Sequence, residues 1–339
     1  MGIKVGKQSA EFSVPVYLRS YASTVGPKEG DGPLKHSFDE IMPDEMYDES
    51  TWEKAESKMV KNTYARTLAK GLRLPDEIDY IFTGDLLNQC IASSFGLKEA
   101  ETPFFGLYGA CSTMAEGMAL SAMVIDGGFA QNVVTITSSH YCAAERQYRF
   151  PVELGNQRAT TSQWTVTGSG GIMISSQTDK NNSVLIKKAT IGKIVDMDIK
   201  DANNMGAAMA PAAAETLLTH FKDFNIKPDY YDLIVTGDLG SLGKEICIEL
   251  MKMNGNDISS NYEDCGVMIY DIRKQDVHAG GSGCGCSAAV LAGELMGRLM
   301  RAEINKLLFV GTGALLSPTS AGQGQPILGI AHAVGIERQ

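Results

Sequence analysis

Apolar positions along this chain switch between the helical period and short continuous runs. Trp52, Ala55, Met59, Tyr64, Ala65 and Leu68 recur at helical spacing. They predict a helix that opens at Ser50-Thr51-Trp52-Glu53, which has capping-box spacing, and is capped by Gly71. Ile78 to Gly84 is an apolar run between turn residues and predicts a buried strand. Phe104 to Gly128 reads as strand, tight turn and helix, with Ala119, Ala122 and Met123 on one face and Gly127-Gly128 at its end. Val133 to Ser139 and Thr165 to Ser176 predict further strands, and Ala210 to Phe224 a second long helix. A short strand is expected at Phe12 to Tyr17, followed by a Gly/Pro-rich loop from Gly26 to Leu34. Residues 140–165 are polar, include Arg146, Arg149 and Arg158, and are expected to form a lid or a dimer loop. Strands alternating with helices point to an α/β protein with parallel strands.

The pattern repeats. PDEIDYIFTGDL (Pro75–Leu86) and PDYYDLIVTGDL (Pro228–Leu239) share eight of twelve positions at an offset of 153. Gly109–Ser139 and Cys284–Ala314 align without gaps at an offset of 175, which places Cys111-Ser112 on Cys286-Ser287. A third likeness, Gly170–Ser175 with Cys265–Tyr270, falls out of order and is set aside. Two apolar strands resemble each other by composition alone, but composition does not explain the shared Pro-Asp and Thr-Gly-Asp-Leu at the two ends. The chain therefore reads as two copies of one αβ half, residues 1–182 and 183–339, with the polar run at Asp179–Asn182 or the loop at Asp201–Met205 as the boundary. A length of 339 residues suits two such halves in one body.

Charge and cysteine usage narrow the function. Net charge is −10 with no basic run, so nucleic acid is not an expected partner and any anion site must be local. Seven cysteines with no CxxC pair form neither a zinc layout nor a disulfide framework. The opening residues carry no signal-peptide pattern, and no apolar run is long enough to span a bilayer. Membrane contact would have to go through protein partners.

Cys111 carries the candidate chemistry. At a strand-to-helix turn, the helix dipole and the free N–H groups of the first turn favour a thiolate. The other reading is a buried structural cysteine. The repeat brings a second helix start, at Cys286-Ser287, toward the first. Two such N-termini suit an oxyanion or the carboxylates of a ligand. Asp85 and Asp238, the duplicated aspartates, cap turns or hold a calcium ion. His140 is a structural histidine or a donor to the site.

Duplicated halves with a cysteine at the first central helix resemble the thiolase superfamily, including the ketoacyl synthases. A closer resemblance is to the stage V sporulation protein AD family of endospore-forming bacteria. GPKEGDGPL, TGDLLNQ, GACST, SSHYCAAERQYRFP, TVTGSGG, MGAAMAPAAAETLLTHFKDF, AGGSGCGCSA and TGALLSPTSAGQGQPILGIAHAV carry it. The resemblance implies a five-layer αβαβα thiolase-like body of two pseudo-symmetric halves, and a homodimer. A condensing enzyme of this superfamily pairs its cysteine with two histidines, or with histidine and asparagine. At the matching places this chain has Gly237 or Asp238 and Cys284. A carboxylate beside Cys111 opposes the thiolate, and a thiol is a poor oxyanion donor. The resemblance thus implies a catalytically silent protein with no cofactor. It would bind dipicolinic acid (pyridine-2,6-dicarboxylic acid), as its calcium chelate, through Cys111, Ser112, Ser138, Ser139, His140, Asp238 and Cys284. It also implies a place on the forespore and spore inner membrane, held by the integral membrane proteins of one channel complex that moves this molecule into the developing spore and out in germination. The alternative is an acyl-transfer enzyme with Cys111 as nucleophile.

Overall fold

The computed structural model describes residues 2–148, 158–178 and 184–339. The first half supplies strands β1 (Tyr17–Val25), β2 (Tyr80–Gly84), β3 (Phe104–Gly106), β4 (Asn132–Ser139) and β5 (Gly168–Ser175). The second supplies β6 (Val184–Ile191), β7 (Leu233–Thr236), β8 (Tyr262–Asp264), β9 (Lys306–Leu315) and β10 (Leu328–Arg338). Their orders are β1-β5-β4-β2-β3 and β6-β10-β9-β7-β8. In each, the first two pairings are antiparallel and the last two parallel. The sheets meet where β6 pairs β1 at Leu185 and Tyr17. This identity of order and direction is the internal repeat in three dimensions.

The repeated sequences occupy equivalent places. Pro75–Glu77 and Pro228–Tyr230 each form a 3-10 turn leading into β2 and β7. Helix α3 (Thr113–Asp126) leads to β4 as helix α7 (Cys284–Val290, continuing through one π turn to Met300) leads to β9. The out-of-order likeness is accidental, since Gly170–Ser175 lies in a strand and Cys265–Met268 in a helix. The expected boundary at Asp179–Asn182 lies outside the described residues, as do residues 149–157 of the expected 140–165 loop, whose Tyr141–Tyr148 part is a helix.

Helices α1 (Trp52–Gly71) and α2 (Ile91–Leu97) cover the outer face of the first sheet, and α5 (Met205–Phe224) and α6 (Gly240–Met253) that of the second. Helices α3 and α7 lie between the sheets. The apolar clusters follow these layers. Met114, Met118, Leu291, Leu295, Ile172 and Phe309 belong to the central core, Val60, Leu68 and Ile136 to one outer core, and Leu217, Phe221 and Leu308 to the other. Each fully buried side chain of this size stabilises the fold by roughly 1.5–3 kcal/mol. An amphipathic face therefore suffices for α1, whereas α3 and α7, buried on both sides, need small apolar residues all round.

Several local expectations shift. Thr51, not Ser50, caps α1, accepting from Lys54 N at 3.3 Å, and Glu53 pairs with Arg146 instead. Gly71 stays helical and Leu72 takes the left-handed position at φ 52°. Helix α5 begins at Met205, capped by Asn204, so Pro211 lies inside it rather than at its start. Phe12 and Val16 are buried but not in a strand. Pro15 between them has no N–H to offer a ladder, and pairing starts at Tyr17. The Gly26–Leu34 loop contains one helical turn, Pro27–Gly30.

Candidate functional site

After β3 the chain turns through one 3-10 turn, Ala110–Ser112, into α3. Ala110 is left-handed at φ 48°, which costs a residue with a Cβ about 1–2 kcal/mol. The turn is held by Ser112 Oγ and Thr113 Oγ1, which donate to Gly109 O and Ala110 O, both at 2.7 Å. Strand β9 backs it at close range. A Cβ on Gly313 would lie 2.4 Å from Gly109 O, so only glycine fits there. These constraints fix Cys111 at the head of α3, facing the second half.

The Cys111 thiol lies within electrostatic reach of the carboxylate of Asp238. Burial pushes that thiol well above its ordinary pKa, and the Asp238 charge and Cys284 push it further; a Gly283 backbone bond opposes them weakly. Activation by the helix dipole is thus overridden. Asp238 is itself raised to about 6, by burial. Its Oδ1 accepts from Thr312 Oγ1 at 2.7 Å and its Oδ2 from Gly283 N at 2.9 Å. Gly283 has φ 102°, and a Cβ there would strike Ser139 Oγ at 2.7 Å. The N-terminus of α7 is therefore already engaged: Gly283 N serves Asp238, and Gly285 N serves Ser139 Oγ at 3.0 Å.

Cys111 opens on a narrow cavity of about 70 Å³, walled also by Leu86, Tyr108, Ala144, Tyr148 and Ser282. Of the seven residues assigned to the pocket from sequence, Cys111 alone forms its wall. Ser112 bonds its own turn. Asp238 and Cys284 lie behind Cys111, and Cys284 Sγ donates to Ser138 O at 2.9 Å. Ser138 Oγ turns to Glu56 at 2.8 Å and Ser139 Oγ to Val166 O at 2.7 Å, on opposite faces of β4 as strand alternation requires. His140 is fully buried, with Nε2 at 2.8 Å from Glu45 O. Burial lowers its pKa. Cys111, His140, Asp238 and Cys284 do not line one cavity.

The duplicated aspartates have diverged. Asp85 caps its own turn, accepting from Leu87 N at 2.9 Å and from Ser93 N and Oγ at 2.8 and 2.7 Å. In the second half Asp264 does that work, accepting from Leu239 N and Gly240 N at 2.8 and 3.0 Å. Asp238 is released to face Cys111. Every oxygen of both Asp85 and Asp238 already accepts a protein donor, so neither is built to hold calcium.

Sequence reasoning missed the cavity's two tyrosines. Tyr108 and Tyr148 hydroxyls stand 2.9 Å apart, and Tyr148 also donates to Leu86 O at 2.7 Å. This ties helix α4 (Tyr141–Tyr148) to the end of β2. Tyr108 lies three residues before Cys111, the one signal that pointed to it. Gln163 was also missed; its Nε2 bonds Asp238 O and Gly281 O at 2.7 and 2.8 Å.

The sequence model of the family described as stage V sporulation protein AD matches residues 6–337. Stage V sporulation protein AD of Bacillus subtilis (strain 168) is 42% identical over 333 residues, covering 98% of this chain and 97% of that relative. The chain belongs to the stage V sporulation protein AD family. Among solved structures, 3-oxoacyl-[acyl-carrier-protein] synthase III from Aquifex aeolicus VF5 aligns with a TM-score of 0.56 at 12% identity, over 95% of this chain and 99% of that one. A variant of OleA from Xanthomonas campestris, with cerulenin, aligns with a TM-score of 0.61 at 11% identity, over 96% and 97%. At such identities the likeness establishes the fold, which is thiolase-like. This family member is a sporulation protein on that fold. No helix among the described residues is long and apolar enough to cross a membrane.

Proposed function

We propose that this protein binds dipicolinic acid, as its calcium chelate, in the Cys111 cavity and does not catalyse acyl condensation. In this reading it is the soluble subunit of a spore membrane channel complex. It is held on the inner membrane by integral membrane partners, and serves uptake into the developing spore and release in germination. The observation that carries the reading is the Cys111–Asp238 pair. Where a condensing enzyme needs an imidazole to take the thiol proton, burial and then the nearby Asp238 carboxylate here keep the proton on sulfur. Family membership supplies the link to sporulation.

The electrostatics favour the chelate over the free dianion. Glu145 is the one charged side chain on the described cavity wall, and Asp238 stands behind Cys111. Two carboxylates and one calcium ion sum to zero charge, so the chelate enters without like-charge repulsion. Calorimetry with dipicolinate, with and without calcium, tests this. Binding is expected only, or more tightly, with calcium. Cys111→Ser should weaken it modestly, and Cys111→Trp should abolish it by filling the cavity. Wild-type binding in both variants would move the ligand elsewhere. Acylation of Cys111 by an acyl-CoA would restore the enzymatic reading.

A further inference from the structure

Two hydroxyls on the wall of the Cys111 cavity are left over by the fold. Thr165 and Ser282 line that cavity and are only 9% and 2% exposed. They stand side by side, because Trp164–Thr165 and Gly281–Ser282 form a short parallel ribbon in which Thr165 is paired with Ser282. Paired positions on adjacent strands point to the same face, and successive positions to opposite faces. On the opposite face Trp164 stacks on Tyr141, with ring centroids 3.7 Å apart and planes within 3°. The ribbon is held in place by Trp164 N donating to Gly280 O and Val166 N to Ser282 O, both at 2.8 Å, and by Gln163 Nε2 donating to Gly281 O at 2.8 Å. The Thr165 methyl turns to Gly283, where a Cβ would meet it at 3.3 Å, which leaves the Thr165 hydroxyl toward the cavity.

Neither hydroxyl has a hydrogen-bond partner among the described residues, and neither oxygen is sealed from the cavity. Polar groups this deeply buried are ordinarily paired, so two unpaired neighbours call for an explanation. The other hydroxyls of the wall are spent. The Tyr148 proton goes to Leu86 O, so Tyr108 is the donor to Tyr148, and neither tyrosine has a proton left for a ligand. No lysine, arginine or histidine stands on the described wall. Thr165 and Ser282 are thus its free hydroxyl donors.

We propose that Thr165 and Ser282 are the carboxylate-recognising residues of the Cys111 cavity, each donating one hydrogen bond to the same ligand carboxylate. This rests on the reading that the cavity takes dipicolinate as its calcium chelate. Adjacent strands lie about 4.8 Å apart, a gap that the two oxygens of one carboxylate bridge. Neutral donors suit a carboxylate whose charge calcium already offsets. A bare dianion calls instead for arginine or lysine, which make the stronger charge-assisted bonds. Because the ribbon is fixed on its far face by the Trp164–Tyr141 stack, the two donors are oriented before the ligand arrives.

The test is calorimetry of the full chain with dipicolinate and calcium. Thr165→Val keeps the shape of the side chain and removes only the hydroxyl, and Ser282→Ala does the same at the second position. Each is expected to weaken binding about 2- to 12-fold, the effect of one hydrogen bond. The melting temperature of the ligand-free variants should hold or rise, since neither hydroxyl bonds the protein. Wild-type affinity in both variants, with binding abolished in Cys111→Trp, would overturn the proposal and leave the ligand in the cavity. Weaker binding matched by a fall in ligand-free melting temperature would make the hydroxyls structural and overturn it as well. No binding by the wild type, or full binding by Cys111→Trp, would remove the reading of the cavity and this assignment with it.

Discussion

The thiol of Cys111 stands close to the buried carboxylate of Asp238, a residue from the other half of the repeat. This places the one thiol on the described cavity wall against an acid. Asp264 caps in the second half the turn that Asp85 caps in the first, which leaves Asp238 free to face Cys111.

Removing the Asp238 charge should therefore wake the thiol. Asp238→Asn keeps the size of the side chain and one acceptor oxygen, but loses the carboxylate that raises Cys111. A fall of one pKa unit is tenfold in thiolate fraction below the pKa. Alkylation of Cys111 by iodoacetamide at pH 8 is expected to rise about tenfold, followed by mass spectrometry. Gly283 N loses an acceptor in the same change, so a stability cost of about 1–3 kcal/mol should accompany it. An unchanged alkylation rate would show that burial alone silences Cys111.

The two halves were legible in the sequence, and the wiring between them was not. Pro-Asp and Thr-Gly-Asp-Leu mark a 3-10 turn and a strand end, features set by local backbone chemistry, so both copies fold alike. The acceptor of each donor at the α7 N-terminus depends instead on residues far apart in the chain. Asp264 is 26 positions beyond Asp238, and no local pattern announces that it will cap Leu239 and Gly240. Ser138, Ser139 and His140 were grouped with the pocket because they stand at the end of β4. Strand alternation sends the two serines to opposite faces, and His140 then turns to Glu45. Sequence order brought these residues near the site without giving their direction.

Buried acids make stability fall as pH rises. Glu56 and Asp85 are raised by burial like those named next, while burial lowers His140, His220 and His332, which pull the other way. Burial raises Asp238 to about 6, and Asp264 and Glu29 to about 7. In the unfolded chain such groups titrate near pH 4. Between these values the folded state holds more protons than the unfolded state, so the contribution to stability is full below about pH 4 and is lost as pH rises toward 7. Urea unfolding should give a higher midpoint at pH 5 than at pH 7.5. Glu29→Gln, which keeps an acceptor for Tyr270 and Thr167, should reduce the difference. A midpoint that rises from pH 5 to 7.5 would contradict these pKa directions.

Strand β3 ends the sheet with Phe104 and Phe105, 40% and 49% exposed. An exposed aromatic edge strand is a ready template for a second copy of the chain. A dimer through β3 is expected, as the family resemblance also implies. Phe105 stacks on Phe82 at 5.0 Å, so Phe105→Asp would loosen the fold as well as the edge. Phe104→Asp is the cleaner change. Sedimentation at micromolar concentration should give a dimer for the wild type and a monomer for Phe104→Asp. A wild-type monomer would remove the interface.

Tyr148 offers the most direct test of how the cavity is held shut. Its hydroxyl bonds Leu86 O and Tyr108 Oη, and these contacts tie α4 to the β2 end across the mouth of the Cys111 cavity. Phenylalanine retains the ring and its packing against the cluster of Leu86, Cys111 and Cys284. What Tyr148→Phe loses is the two hydrogen bonds; Leu86 O keeps its other donor, Gln147 Nε2, at 2.9 Å. A hydrogen bond contributes about 0.5–1.5 kcal/mol net, which is roughly a 2- to 12-fold change in an equilibrium constant. Faster amide exchange confined to α4 is therefore expected, with dipicolinate binding weakened within that range if the ligand occupies this cavity. Global unfolding should change little, because α4 packs at the surface of the first half rather than in the central layer. Faster exchange with unaltered dipicolinate affinity would keep the role of Tyr148 as a latch and displace the ligand from the cavity. Unaltered exchange would mean that α4 is held by its packing and its Arg146–Glu53 pair instead.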